Sequence, residues 1–207
     1  MTTQTYMGND VRRDHSFRIP RPDQSVSFGT PNACNGCHTD KSASWAAKAV
    51  VDWYGPQRAY HFSDDLVPGS QLDEKSGTHL ARLLADRSQP AIARATAATY
   101  LGRLPAPESL AALQAALTDK QAIVRYYTLR ALQSFPPDAW IQAAAPCLND
   151  GVRAVRIAAA DLFHQVPTDR IPSAWLGHYQ IADAENRQYL SYQTDFAVGN
   201  VMLADYE

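Results

Sequence analysis

No stretch of this sequence stays apolar for the roughly 20 residues that a bilayer-spanning helix requires, and residues 1–10 are too polar for an export signal. A transmembrane segment is therefore not expected. Neither sign of charge dominates, since 19 lysines and arginines face 21 aspartates and glutamates for a net charge of -2. Without a cationic field, nucleic acid and anionic membrane are not expected partners. Cysteine is scarce, with three in 207 residues. Two of them lie close together and Cys147 sits far along in an apolar helical pattern, so no disulfide framework is expected. Cys147 reads as packing, because free cysteine is among the most buried residue types. What is present is 45% hydrophobic side chains, enough to bury a core in one compact domain or two small ones.

The first 40 residues show little periodicity and hold Pro20, Pro22 and Pro31 near Gly29 and Asn32, which predicts extended, irregular chain. Over 42–54, Trp45, Ala49 and Trp53 recur every four residues and form one helical stripe that stops at Gly55-Pro56. Residues 56–78 read as a polar connector containing His61, Pro68, Gly69 and Gly77. From His79 onward the chain repeats on itself with a shift of 31 residues. Arg94, Arg125 and Arg156 fall in register, as do Leu101, Leu132 and Phe163, and then Pro105, Pro136 and Pro167. Offsets of three and four put each apolar set on one helical face, and the proline is expected to stop each helix. The preceding helices are expected over 80–84, 110–117 and 141–148, with Asp86, Asp119 and Asp150 in the turns as caps for the next helix. The pattern resembles HEAT-like repeats, in which the turn aspartate and the arginine stack into a ladder between neighbours. One hairpin cannot bury its own apolar face, so three of them must stack into a short solenoid. The tail is expected to be helical over 181–193 and weakly resembles the first helix of a tetratricopeptide repeat, cut short before a second helix.

The chemistry lies in Cys34-Asn35-Gly36-Cys37-His38. Two thiols separated by two residues suit the two vinyl groups of a haem, and a histidine directly after the second thiol falls under the iron. The expected cofactor is one haem c, attached through Cys34 and Cys37, with His38 as the proximal iron ligand. Zinc would want further ligands at finger-like spacing, and no second cysteine pair exists. A redox dithiol would follow a strand in a βαβ unit, and no such unit is visible. The sixth iron ligand controls what a haem does. His15 is preferred, because the run from Arg12 to Pro22 has no helical or strand pattern to justify it otherwise; His61, followed by Phe62, is the rival. Arg12, Arg13, Arg18 and Arg21 are candidates to pair with haem propionates, against the plainer reading of a solvated basic arm. His164 reads as structural, and His79 and His178 have no special neighbour in the sequence.

Two runs, Asp14-His15-Ser16-Phe17-Arg18-Ile19-Pro20-Arg21-Pro22-Asp23 and Gly29-Thr30-Pro31-Asn32-Ala33-Cys34-Asn35-Gly36-Cys37-His38, resemble the last haem-binding section of multihaem c-type cytochromes of the cytochrome c554 type. The resemblance is specific over 10–45, and Ala91 to Ala98 after Gln89-Pro90 is similar to the start of the helical part that follows in that family. It implies continuation into HEAT-like and then tetratricopeptide repeats. Family members usually carry further haem motifs upstream, and this chain has none. The expected fold class is all-α: an irregular haem-binding segment over 1–55, a connector over 56–78, three HEAT-like repeats over 79–170, and C-terminal helices over 171–207. The expected function is single-electron transfer through the haem, with the solenoid as docking or assembly scaffold. The alternatives are an interaction or assembly module, including a polymer-forming one, in which haem is secondary, and a haem enzyme with an open iron site. Expected partners are a redox partner or neighbouring haem protein and further copies of the chain. Haem c is attached after export, so a periplasmic or extracellular location is expected, in a mature form or an excised piece.

Overall fold

The computed structural model describes residues 3–13 and 19–206. It divides into two compact units, Met1–Tyr60 and His61–Glu207. The chain is mostly helical, and within the second unit the helices form a solenoid of stacked hairpins.

The first unit is more ordered than its composition predicts. Strands β1 (Thr3–Tyr6) and β2 (Asp10–Arg13) pair antiparallel, with Thr3 opposite Arg13 and Tyr6 opposite Asp10. Met7 and Gly8, at φ 53° and 78°, turn the chain between them, a left-handed geometry suited to hairpin loops. This strand pair stands where irregular chain was expected, beside a fold that is otherwise helical. Helix α1 (Pro22–Phe28) starts on Pro22, whose missing N–H costs nothing in a first turn. It ends at Gly29, φ 69°, whose N–H reaches Ser25 O at 3.0 Å. A single turn, α2 (Cys34–Cys37), follows. Helix α3 (Ala43–Tyr54) is capped by Ser42, whose Oγ accepts the Trp45 N–H at 3.1 Å, and lies against α1. Ala46 and Val50 are the buried apolar side chains that α3 contributes.

The second unit opens with α4 (Ser63–Gly69) and α5 (Ser76–Ala85), so the expected connector is partly helix. Phe62 and Leu66 of that region pack on the core. A Cβ on Gly69 would meet Leu80 Cδ2 at 2.5 Å, which explains the glycine there. Then come α6 (Ala91–Leu101), α7 (Pro107–Ala116), α8 (Ala122–Leu132), α9 (Pro137–Ala144), α10 (Arg153–His164), α11 (Ser173–Ser191) and α12 (Ala197–Tyr206). Neighbours in the stack meet as α6 on α8, α8 on α10, and α5 on α7.

Several details depart from expectation for local reasons. The repeat prolines do not end their helices; α6, α8 and α10 stop short of Pro105, Pro136 and Pro167. Helix α9 does not run to Leu148, because Pro146 has no N–H to give and the chain tightens into a 3-10 turn over Ala145–Asn149. The turn aspartates reach the N–H two residues on rather than a helix end: Asp86 that of Ser88, Asp119 that of Gln121 and Asp150 that of Val152, at 2.8–3.0 Å. They close Asx-turns that lead into the helices. In the tail, α12 supplies the second helix that the sequence pattern lacked.

The ladder is present. Arg94 pairs with Asp119 of the next hairpin and donates to Leu84 O at 3.0 Å. Arg125 forks onto Asp150 at 2.6 and 2.7 Å and donates to Asp119 O, and Arg156 forks onto Glu185 at 2.8 and 2.6 Å and donates to Asp150 O. Glu185 in α11 thus replaces the turn aspartate at the last step.

Candidate cofactor-attachment site

In the first unit, Cys34 and Cys37 occupy the start and end of α2, three residues apart, which puts both thiols on one side of a single helical turn. Cys34 is half-buried; Cys37 and His38 are exposed. A network of amides fixes this turn. Asn32 Oδ1 accepts the Asn35 N–H at 3.1 Å, as an N-cap side chain would, while Asn32 Nδ2 donates to Ser25 Oγ and Asn35 Oδ1, both at 2.9 Å. Asn35 Nδ2 in turn donates to Lys41 O at 2.7 Å. The His38 N–H closes the turn onto Cys34 O at 2.9 Å, and backbone angles of φ -90° and ψ 66° take the chain out of the helix at that residue. The His38 ring lies against Trp45 of α3, centroids 4.9 Å apart and planes inclined by 53°.

Apolar surface surrounds little core in this unit. Trp45 is 39% exposed, Trp53 72% and Tyr54 75%, and Ile19, Val26 and Phe28 are exposed as well. Among the described residues, no three histidine, cysteine, aspartate or glutamate side chains are arranged to hold a metal ion. Two thiols on one turn, an exposed imidazole next to them and exposed aromatics on the following helix are a set that fits a flat, apolar, thioether-linked macrocycle.

The arginines proposed for propionates are placed variously. Arg12 pairs with Asp10 at 2.5 Å on the hairpin surface, and Arg13 is exposed. Arg21 forks onto Asp23 at 2.8–3.0 Å; its hydrogen bond, with burial opposing, holds the Asp23 carboxyl below its ordinary value. Arg58 donates to Pro20 O at 2.7 Å and ties the approach to α1 to the chain after α3. His15 and Arg18 lie outside the described residues.

His61 belongs to the second unit. Its Nδ1 accepts the Ser63 N–H at 3.3 Å and lies 2.6 Å from Ser63 Oγ, its N–H donates to Asp64 Oδ2 at 2.9 Å, and its ring packs on Phe62 at 4.1 Å. His79 does have a special neighbour, contrary to the reading from sequence. Its Nδ1 lies 2.7 Å from the fully buried Asp65, which Arg82 also grips through Nε at 2.8 Å. A carboxylate beside a guanidinium accepts, so His79 Nδ1–H is the donor in this contact. Asp65, His79 and Arg82 escaped the sequence reading because Asp65 is remote in sequence and lies in the supposed connector. His79 and Arg82 are three apart on α5, a spacing that puts them on one face. His164 stacks on Tyr206 at 3.8 Å, and Tyr206 Oη donates to Asp183 at 2.6 Å, joining α12 to α10 and α11. Cys147 is buried, and burial, aided by the Asp150 charge, pushes its thiol up to about 12, so it stays protonated and inert.

Residues 78–163 match the family model for HEAT repeats. No curated protein and no solved structure matches the chain. No helix among the described residues is long and apolar enough to cross a membrane.

Proposed function

We propose that this protein is a HEAT-repeat interaction scaffold that carries one covalently bound haem c and passes single electrons to proteins docked on it. The scaffold part rests on the family match over 78–163 and on the stacked hairpins with their Arg-Asp ladder. The haem part rests on one observation: Cys34 and Cys37 share one turn with His38 directly after it, in a unit whose Trp45, Trp53 and Tyr54 side chains are exposed.

Cys34 and Cys37 would hold the macrocycle through thioethers and His38 would be the proximal ligand. Iron in such a group supplies a one-electron couple. The protein's own part is to present the thiols together, fix the imidazole and cover the apolar faces. His15 and His61 stay the rival sixth ligands, and Arg12, Arg13, Arg18 and Arg21 the candidates for the propionates. Thioether attachment, made after export, would put the protein in the periplasm or outside the cell.

Expression in a host competent for haem c attachment, followed by intact mass, tests the reading. One haem mass, lost in Cys34→Ala/Cys37→Ala, supports it, and an unmodified chain refutes it. A reduced spectrum without response to carbon monoxide supports a closed electron carrier; ready binding favours an open iron site.

A second reading makes the repeats primary and the haem secondary, with the chain assembling other proteins or copies of itself. Exposed Ile181, Phe196, Val198, Val201 and Met202 on α11, α12 and the turn between them favour it. Sedimentation at rising concentration tests self-assembly, and a monomer throughout counts against it.

A further inference from the structure

We infer that Trp45 is the positioning residue of the His38 imidazole, setting the plane of the ring by aromatic packing where most ligand histidines use a hydrogen bond. The inference rests on the haem reading above. A metal-bound histidine normally donates its other N–H to a carboxylate or carbonyl, which fixes its rotation and raises its basicity. His79 in this chain has that arrangement with Asp65. His38 does not: among the described residues neither of its ring nitrogens has a hydrogen-bond partner, and its one ring contact is Trp45 at 4.9 Å and 53°. Both sides of this contact are fixed at the backbone. On one side, the His38 N–H is held by Cys34 O at 2.9 Å and its carbonyl accepts the Lys41 N–H at 3.1 Å. On the other, the Trp45 N–H is held by Ser42 Oγ at 3.1 Å in the cap of α3. At 4.9 Å and 53° the two rings are in close tilted contact, within the range in which aromatic pairs attract each other, and rotation of the imidazole would break that contact. An imidazole oriented in this way, with no carboxylate or carbonyl among the described residues to accept from its N–H, is a weaker donor to iron than a carboxylate-bonded ligand, which favours the reduced state.

The test uses the haem-loaded protein, with intact mass as the first readout. In the oxidised wild type, the Trp45 ring protons should be shifted and broadened by the paramagnetic iron through their contact with His38. Trp45→Leu should keep the haem mass but displace both the midpoint potential and the hyperfine shifts of the His38 ring by more than the scatter between preparations. Trp45→Phe should restore most of the displacement, and Trp53→Leu on the same helix should cause none. Trp45 resonances at diamagnetic positions in the wild type would overturn the inference without any variant. A loaded Trp45→Leu protein indistinguishable from wild type would overturn it as well. Failure of the wild type to acquire haem sinks the parent reading too, and the mass spectrum separates that result from the other two.

Discussion

In residues 61–207, side chains from successive hairpins close on one another until Leu80, Leu83, Leu101, Leu129, Leu132 and Phe163 lose all but a trace of their exposure, whereas among the described residues of 1–60 the buried hydrophobic side chains are Ala46 and Val50. Burying a Leu or Phe side chain contributes about 1.5–3 kcal/mol, and burying an alanine far less. The solenoid therefore has the means to stand by itself. The first unit relies on one helix pair, a set of amide hydrogen bonds and a two-stranded sheet, while its tryptophans face solvent. A haem held by Cys34, Cys37 and His38, as proposed above, would bury apolar surface that this unit leaves open.

Limited proteolysis is the most drastic way to break this contrast. Without haem, trypsin should clear residues 1–60 and leave a resistant fragment close to 61–207, read by mass. With haem attached, both units should survive the same exposure, and Cys34→Ala/Cys37→Ala should return the first unit to rapid cleavage. If the first unit without haem outlasts the solenoid, the contrast is false.

Within the solenoid the ladder is graded by burial. The Arg94 and Asp119 side chains are 4% and 3% exposed, and those of Arg156 and Glu185 21% and 24%. Asp119→Ala leaves a buried guanidinium without its partner and should cost about 3–5 kcal/mol by urea denaturation. Glu185→Gln, at the wetter step, should cost about 0–1 kcal/mol. Equal costs at the two steps would show that burial does not set the ladder's strength. Acid sharpens the same point. Burial raises the Asp119 and Asp150 carboxyls, but hydrogen bonds and charge from Arg94 and Arg125 outweigh it, so both lie below the ordinary 3.8. A carboxyl with a depressed folded pKa stabilises fully above its unfolded pKa and loses that contribution as pH falls through the folded value. Stability should therefore hold near neutrality and fall below about pH 3.8, and Asp119→Ala should flatten that fall.

The solenoid was legible because its period recurs: Arg94, Arg125 and Arg156 announce the ladder, and the apolar set around Leu101, Leu132 and Phe163 announces the stacked faces. Single instances carry no such signal. Helix α4 is short and holds Pro68, so its pattern reads as loop although Asp65 is fully buried. Helix α12 buries Gly199 and Tyr206 while Val198 and Val201 face outward, which reverses the usual sign of hydrophobic patterning. The motif Cys34-Asn35-Gly36-Cys37-His38 stands out in the sequence by its spacing, but the grip of Asn32 and Asn35 on it and the contact of Trp45 with His38 depend on how the chain returns, which no local spacing encodes.

A smaller effect tests how tightly the stack is closed. A Cβ on Gly102 would lie 2.9 Å from Ala131 Cα and 3.0 Å from its carbonyl oxygen, so the hindrance is backbone and cannot swing away. Gly102→Ala should cost about 1–3 kcal/mol through overpacking between α6 and α8. Gly36, where an added Cβ meets nothing within 4 Å, should accept alanine with about 0.5 kcal/mol or less, measured by thermal melting of each unit's signal.

A last, modest effect should have the opposite sign. Thr128 is fully buried in α8, and its hydroxyl has no hydrogen-bond partner among the described residues. The repeat puts alanine at the equivalent positions, Ala97 and Ala159, both fully buried, so the stack has no use for a polar group at this depth. An unpaired buried hydroxyl costs about 1–3 kcal/mol, and valine keeps the branched shape while removing it. Thr128→Val should therefore raise the urea midpoint, by about 1 kcal/mol of stability. Thr128→Ala should fall close to neutral, because the lost methyl, worth about 0.8 kcal/mol, offsets the same gain. If valine instead destabilises the solenoid, the hydroxyl has a partner in solution, and this part of the core is wetter than its packing indicates.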